Sequence, residues 1–124
     1  MLKVIVDERL YDEEFLLAHT CAPCLVDRAT GEPVLKNADD PASFVVFDKK
    51  SGEVVPHDQS GIEAALTLDG TDAADAYQTE FELIVAEASA WDLATAEEEC
   101  GVPAADIERI AKEYAGAEHA MIVQ

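Results

Sequence analysis

The side chains best placed by type and spacing to do chemistry stand early in the chain, in His19-Thr20-Cys21-Ala22-Pro23-Cys24. Two thiols separated by two residues can ligate zinc, or can form a redox couple when a helix N-terminus lowers the pKa of one of them. Each use needs a further part. Zinc takes four ligands, and neither His57, Cys100 nor His119 supplies a second pair at metal-site spacing, so Cys21, Cys24 and His19 amount to half a site. The redox use needs the first thiol at a helix start, whereas this pair follows a helix end. The expectation is therefore two ordinary semi-buried thiols, with a thiol or zinc site on Cys21, Cys24 and His19 as the alternative. Cys100, beside Gly101, reads as a small core residue.

Other reactive constellations are scarce in the sequence. The chain has no Gly-x-Ser-x-Gly elbow, no phosphate-cradling glycine loop and no His-Glu-x-x-His helix. With 27 Asp and Glu residues, almost any two carboxylates could be named a catalytic pair, which makes the pairing uninformative. His57 and His119 are isolated and read as surface or local hydrogen-bonding groups. No catalytic, cofactor-binding or metal-ligating residue is expected in this segment.

Charge excludes whole classes of partner. Eight Lys and Arg against 27 Asp and Glu give a formal net charge of −19, so a nucleic-acid backbone or an anionic membrane is repelled along nearly the whole surface. This matters at the end of the chain, where two short helices meet at Gly101-Val102-Pro103 in the manner of a helix-turn-helix. The second of them has Ile107, Ile110, Ala111 and Tyr114 on one face, and its Arg109 and Lys112 are matched by Asp106, Glu108 and Glu113 at helical spacing. The basic footprint of a DNA reader is missing, and the corner reads as a packing element. At 124 residues and 49% hydrophobic, the chain can build one modest core. No run approaches a membrane span, and residues 1–7 turn acidic too soon for a secretory signal.

The elements that would position any site follow from periodicity and turn chemistry. Residues 1–7 fit a strand or a helix equally. Asp12-Glu13-Glu14 crowd the first turn of a helix that runs through Phe15 and Leu16 and ends near His19 and Thr20, before Pro23. Asp27-Arg28-Ala29-Thr30-Gly31-Glu32 and Asp48-Lys49-Lys50-Ser51-Gly52-Glu53 repeat the pattern Asp-x-x-[Thr/Ser]-Gly-Glu between apolar flanks. Each predicts a β-hairpin whose Asp bonds the turning backbone and whose Gly takes a positive φ. A calcium loop is excluded, because the regular run of oxygen ligands is missing. Ala65-Leu66-Thr67-Leu68 suggests a further short strand. Phe81, Ile84, Val85 and Ala88 mark a helix over roughly residues 76–88. The order predicts an α+β fold: N-terminal helices, a small antiparallel sheet of two hairpins, and C-terminal helices.

The opening residues 4–15, Val4 to Phe15, then Ala18-His19-Thr20 and Ala22-Pro23-Cys24-Leu25-Val26, resemble a segment of the molybdopterin oxidoreductases of the dimethyl sulfoxide reductase superfamily, reading like "hVIIEEGLYDEEFVxxYTNAPFLV". The closing residues 101–115, Gly101 to Ala115, look like that family's "GVPAETIRRLAREFA". Between them, Phe44 to Asp48, Ser51 to Pro56 and Ala64-Ala65-Leu66 resemble an insert of its acetylene hydratase, polysulfide reductase and catechol dehydroxylase branches. Cys21 and Cys24 depart from the pattern, which commonly has Asn and Phe there, and Glu98-Glu99-Cys100 is more acidic than usual.

The resemblance implies that residues 1–124 are a single internal segment of a larger catalytic subunit, an anaerobic dehydrogenase or reductase. Its parent would hold molybdenum or tungsten on two molybdopterin guanine dinucleotides and carry an iron–sulfur cluster, in the cytoplasm or on the periplasmic side. None of the family's cluster cysteines, metal ligand or guanine-binding motifs aligns with a position here, so the segment itself is expected to be inactive. Its partners would be the remaining domains of the parent chain. Residues 119–123 look like a strand continued by downstream sequence, and Leu2, Ile5, Val6, Met121, Ile122 and Val123 would then present apolar surface open to self-association. Two other classes remain open: a free-standing acidic interaction module, and a small thiol or zinc protein using Cys21 and Cys24.

Overall fold

The computed structural model describes residues 1–121. It is an α+β fold with two small antiparallel two-stranded sheets. Where the length suggested one modest core, the chain forms two compact units: unit 1 combines Met1–Asp12 with the chain from Val85 onward, and unit 2 is Glu13–Ile84.

Unit 2 begins with α2 (Glu13–His19), preceded in unit 1 by α1 (Leu2–Asp7). Its strands are β1 (Leu25–Asp27), β2 (Val45–Asp48), β3 (Glu53–Pro56) and β4 (Tyr77–Thr79), with a 3₁₀ turn at Asp72–Asp75. β2 and β3 form the expected hairpin, with Val46 opposite Val55 and Asp48 opposite Glu53. The other repeat folds differently. The loop after β1 closes as a hairpin loop should, with the Gly31 amide donating to the Asp27 carbonyl at 2.8 Å, but its return arm makes one bridge, between Val26 and Pro33. Pro33 has no N–H to give a ladder. The strand partner of β1 is instead β4, with Leu25 opposite Thr79 and Asp27 opposite Tyr77.

Both repeat glycines take the left-handed backbone their turns need, φ 73° at Gly31 and φ 72° at Gly52. The core of unit 2 gathers Leu25, Val45, Phe47, Ala65 and Leu68. Ala65, Leu66 and Leu68 are thus buried, yet not as the expected strand. The segment is irregular because its amides are satisfied one at a time: Ala65 donates to the Phe47 carbonyl at 2.9 Å and Leu68 to Glu82 Oε1 at 3.1 Å.

The helix expected from residue 76 starts later, as α3 (Glu80–Ser89), because Tyr77–Thr79 pair with β1. Its start is a capping box. Thr79 Oγ1 accepts the Glu82 amide at 3.0 Å, and Glu82 Oε2 accepts the Thr79 amide at 2.8 Å.

In unit 1 the ambiguous N-terminal segment is helical. α1 stops where Arg9 takes φ 53° and Leu10 donates to the Ile5 carbonyl at 2.9 Å, the six-to-one closure of a Schellman ending. Lys3 and Asp7 pair along it at 2.8 Å. α4 (Leu93–Cys100) is capped by Asp92, whose side chain accepts the Thr95 amide at 2.7 Å, and ends at Gly101 with φ 70°. Pro103 is the residue just before α5 (Ala104–Ala115). The apolar face of α5 is half covered: Ile107 and Ala111 are buried, Tyr114 is partly exposed and Ile110 is exposed. Of the terminal apolar residues, Ile5 and Val6 are partly buried while Leu2 and Met121 are exposed. Residues 119–121 form no strand, and Ile122 and Val123 lie outside the described residues. Among the described residues no helix is long and apolar enough to cross a membrane.

Candidate functional site

The sequence singled out the turn after α2, and the structure makes it one wall of a cleft in unit 2. Thr20 ends α2 by donating its hydroxyl to the Leu16 carbonyl at 2.6 Å and accepting the Ala22 amide at 3.1 Å. The Cys24 amide then closes a tight turn on the Cys21 carbonyl at 2.8 Å. From there the backbone is held on two sides. Cys24 bridges Val46 of β2, and its carbonyl accepts the Glu80 amide at 2.9 Å.

The three residues of the half-site part company. His19 is exposed, with its ring tilted against Phe15 at 5.1 Å between centroids, and Cys21 is exposed, while Cys24 is buried. All three cysteines of the chain are free thiols, and Cys100, expected in the core, is exposed. It sits in the last turn of α4, on a face that unit 1 leaves open. Among the described residues no three His, Cys, Asp or Glu side chains gather into a metal-binding group.

The cleft has a volume of about 490 Å³. Its floor is apolar, with Leu17, Pro23, Val46 and Ile62, and its polar groups are Glu14, Thr20, Cys24, His57 and Glu63. Burial, with the nearby Cys21 and Glu80 adding to it, pushes the Cys24 thiol up to about 11. At neutral pH the sulfur is therefore protonated, and it is neither an activated nucleophile nor a metal-ready thiolate. His57 reaches the cleft from the end of β3. Both its amide and its Nδ1 face the Phe44 carbonyl at 3.1 Å. A carbonyl only accepts, so Nδ1 carries a proton in this contact. Neither His57 nor Glu63 was singled out as a site residue from sequence. The local pattern holds no signal for them, because strand pairing and a long loop bring them beside residues 14–24.

Glu63 is positioned by Asp48. Among the described residues this is the buried carboxylate, and it accepts four hydrogen bonds: the Glu63 amide at 2.8 Å, the Ser51 hydroxyl at 2.8 Å, and the Lys50 and Ser51 amides at 3.2 Å each. The Glu63 amide, foremost, then the Ser51 hydroxyl and the other amides, hold its pKa down to about 2 against the opposing effect of burial. The matching Asp27 lies in the other repeat loop, where the Thr30 and Ala29 amides lower its pKa, and it reaches no second loop. A carboxylate whose folded pKa is depressed stabilises the fold above its ordinary pKa and loses that contribution as pH falls through the folded value. Stability from Asp48 is thus complete above about pH 4 and lost towards pH 2. In thermal melts run from pH 7 down to about pH 2, Asp48→Asn is expected to be less stable than the parent at pH 7 and to show a flatter decline in acid. An identical acid profile for the variant would show that Asp48 does not carry this titration.

The cleft is a polar-rimmed depression that holds a neutral thiol and an imidazole oriented by the Phe44 carbonyl, without an activated nucleophile. In comparisons with known proteins, no family model matches this chain and no curated protein matches it.

Proposed function

We propose that the chain is a scaffold segment of a molybdopterin-dependent oxidoreductase of the dimethyl sulfoxide reductase superfamily, supplying packing surface and no reacting group. The observation that carries this reading is that the first part of the opening block, residues 4–12, and the closing block, far apart in sequence, pack together in unit 1. α1 of the opening block lies against α5 of the closing block. Lys112 Nζ reaches Glu8 at 2.8 Å, while Val4, Ile107 and Ala111 are buried. Two segments kept side by side in one small helical unit are what a shared ancestral packing arrangement would require. The exposed side chains of Met1, Leu2, Trp91, Val102 and Ile110 add support, since contiguous apolar surface calls for a cover.

The residues present do not fit the metal or cluster that such a parent would carry. The buried thiol is protonated, and no donor trio forms among the described residues. Molybdenum or tungsten, the two molybdopterin guanine dinucleotides and the iron–sulfur cluster would be held by other parts of the parent. The protonated Cys24 likewise disfavours the thiol or zinc alternative.

The test has two arms. Sequencing outward from the locus is expected to find one reading frame running through both ends, with cluster cysteines upstream. Metal and pterin analysis is expected to find neither molybdenum, tungsten nor pterin at stoichiometric level in the purified 124 residues. A closed frame of 124 residues, or stoichiometric cofactor in the isolated segment, would overturn the assignment.

A further inference from the structure

Broken up as a metal half-site, the segment after α2 stays intact as a pair of sulfurs. Cys21 and Cys24 open and close one four-residue turn, with the Cys24 amide on the Cys21 carbonyl at 2.8 Å. Such a turn keeps its first and last Cα atoms within about 7 Å, and a disulfide spans Cα atoms about 4.4–6.8 Å apart. Cys21 also stands near enough to the second sulfur to add to the rise of its pKa. Both thiols are free.

The turn is held from both sides. Before it, Thr20 Oγ1 accepts the Ala22 amide at 3.1 Å and is itself tied to the Leu16 carbonyl. After it, Cys24 bridges Val46, and its carbonyl accepts the Glu80 amide at 2.9 Å. Pro23 fixes one more φ inside it. A backbone set in this way has little left to order when the sulfurs join. Their surroundings give the two sulfurs different parts. Cys21 is exposed and meets a reagent from solvent, whereas Cys24 is only 7% exposed. A helix start would hasten the first attack by lowering a thiol's pKa, but exchange itself needs one open sulfur and a second within reach. The protonated Cys24 is unfit to attack first and takes the second step, where proximity stands in for acidity.

We propose that Cys21 and Cys24 form a reversible dithiol–disulfide switch, in which exposed Cys21 reacts first with a small disulfide and Cys24 closes the ring. In the first step the Cys21 sulfur attacks the small disulfide, whose S–S bond breaks as the new one forms, and half of the oxidant leaves with the Cys21 proton. In the second the Cys24 sulfur attacks that of Cys21, and the other half leaves with the Cys24 proton. Two cysteines are thus oxidised by two electrons while one disulfide is reduced to two thiols, and excess small thiol runs the exchange backwards. Closure removes the S–H of Cys24 from the wall of the unit 2 cleft, which therefore exists in two forms. None of this rests on the oxidoreductase reading, because it uses the turn and its two sulfurs alone.

The probe is bis(2-hydroxyethyl) disulfide, neutral because a chain of net charge −19 repels anionic reagents. In a Cys100→Ser background Cys21 and Cys24 are the only thiols. There the probe is expected to remove both thiols, to lower the mass by two hydrogens and to leave no reagent attached, and 2-mercaptoethanol should restore both. Adding Cys24→Ser should trap the reagent on Cys21 as a lasting mixed disulfide. With Cys21→Ser instead, Cys24 should react at least about tenfold more slowly than Cys21 does. The oxidised chain should keep the urea midpoint of the reduced one, or exceed it by the small gain that so short a loop allows. Reagent that stays on Cys21 while Cys24 is present, equal reactivity of the two thiols, or disulfides between chains in place of the ring would overturn the proposal. So would an earlier urea midpoint after oxidation, since the ring would then close only by distorting the turn.

Discussion

Leu68→Ala is expected to lower the unfolding free energy by about 2–5 kcal/mol, read as an earlier midpoint in urea with an unchanged slope. Leu68 is fully buried and packs in one cluster with Leu25, Val45, Phe47 and Ala65, so truncation removes apolar contacts from both strand pairs at once. The cavity cannot close cheaply. Leu68's own amide is tied to Glu82 Oε1 and its carbonyl accepts the Thr71 hydroxyl at 2.8 Å, which hold the backbone in place around the lost side chain. Leu68→Met, of similar volume, should cost less than about 1.5 kcal/mol. A loss below about 1 kcal/mol for the alanine variant would mean that this segment is not packed as described.

The second large effect is expected at Thr79. Its hydroxyl donates to the Leu66 carbonyl at 2.7 Å while accepting the Glu82 amide at 3.0 Å, at a fully buried position. Thr79→Val keeps the shape and strands both partners, which should cost about 2–4 kcal/mol. Thr79→Ser should recover most of it. Glu82→Ala should also destabilise, because it frees the Thr79 and Leu68 amides together. The double variant is expected to lose less than the two single losses combined, since the residues share one network. Strict additivity in denaturant melts would show that the capping box and the Leu66–Leu68 segment are energetically separate.

How legible these features were depends on how far each reaches along the chain. Positive φ at Gly31 and Gly52 could be read directly, because an Asp and a Gly four residues apart determine their own loop. The Gly101 corner and α2 were legible for the same reason: caps, acids in a first turn and a following proline are local signals. The partner of β1 was not. Asp27 pairs with Tyr77, and nothing near Leu25–Asp27 distinguishes that partner from the nearby arm at Pro33. The cleft is hidden by the same arithmetic, since His57 and Glu63 meet Cys24 through strand pairing. One signal was present and unread: Thr79-Glu80-Phe81-Glu82 is a capping-box sequence, and it marks the true start of α3. At α5 the periodicity was correct, yet it counted Ile110 as core. Periodicity locates a face without saying whether the unit supplies anything to cover it.

The carboxylate of Asp48 gathers amides from two stretches of chain, Lys50 and Ser51 on one side and Glu63 on the other. Neither stretch can release its share alone without leaving a buried anion short of donors, so the two open together or stay closed together. The β2–β3 turn and the loop that carries Glu63 thus breathe as one cooperative patch, and their amides should share a common protection against solvent hydrogen exchange. The Asp27 anion serves its own turn only, and that loop is tied to a distant stretch by a cation instead, through Arg28 bonded to Ala74, Tyr77 and Gln78.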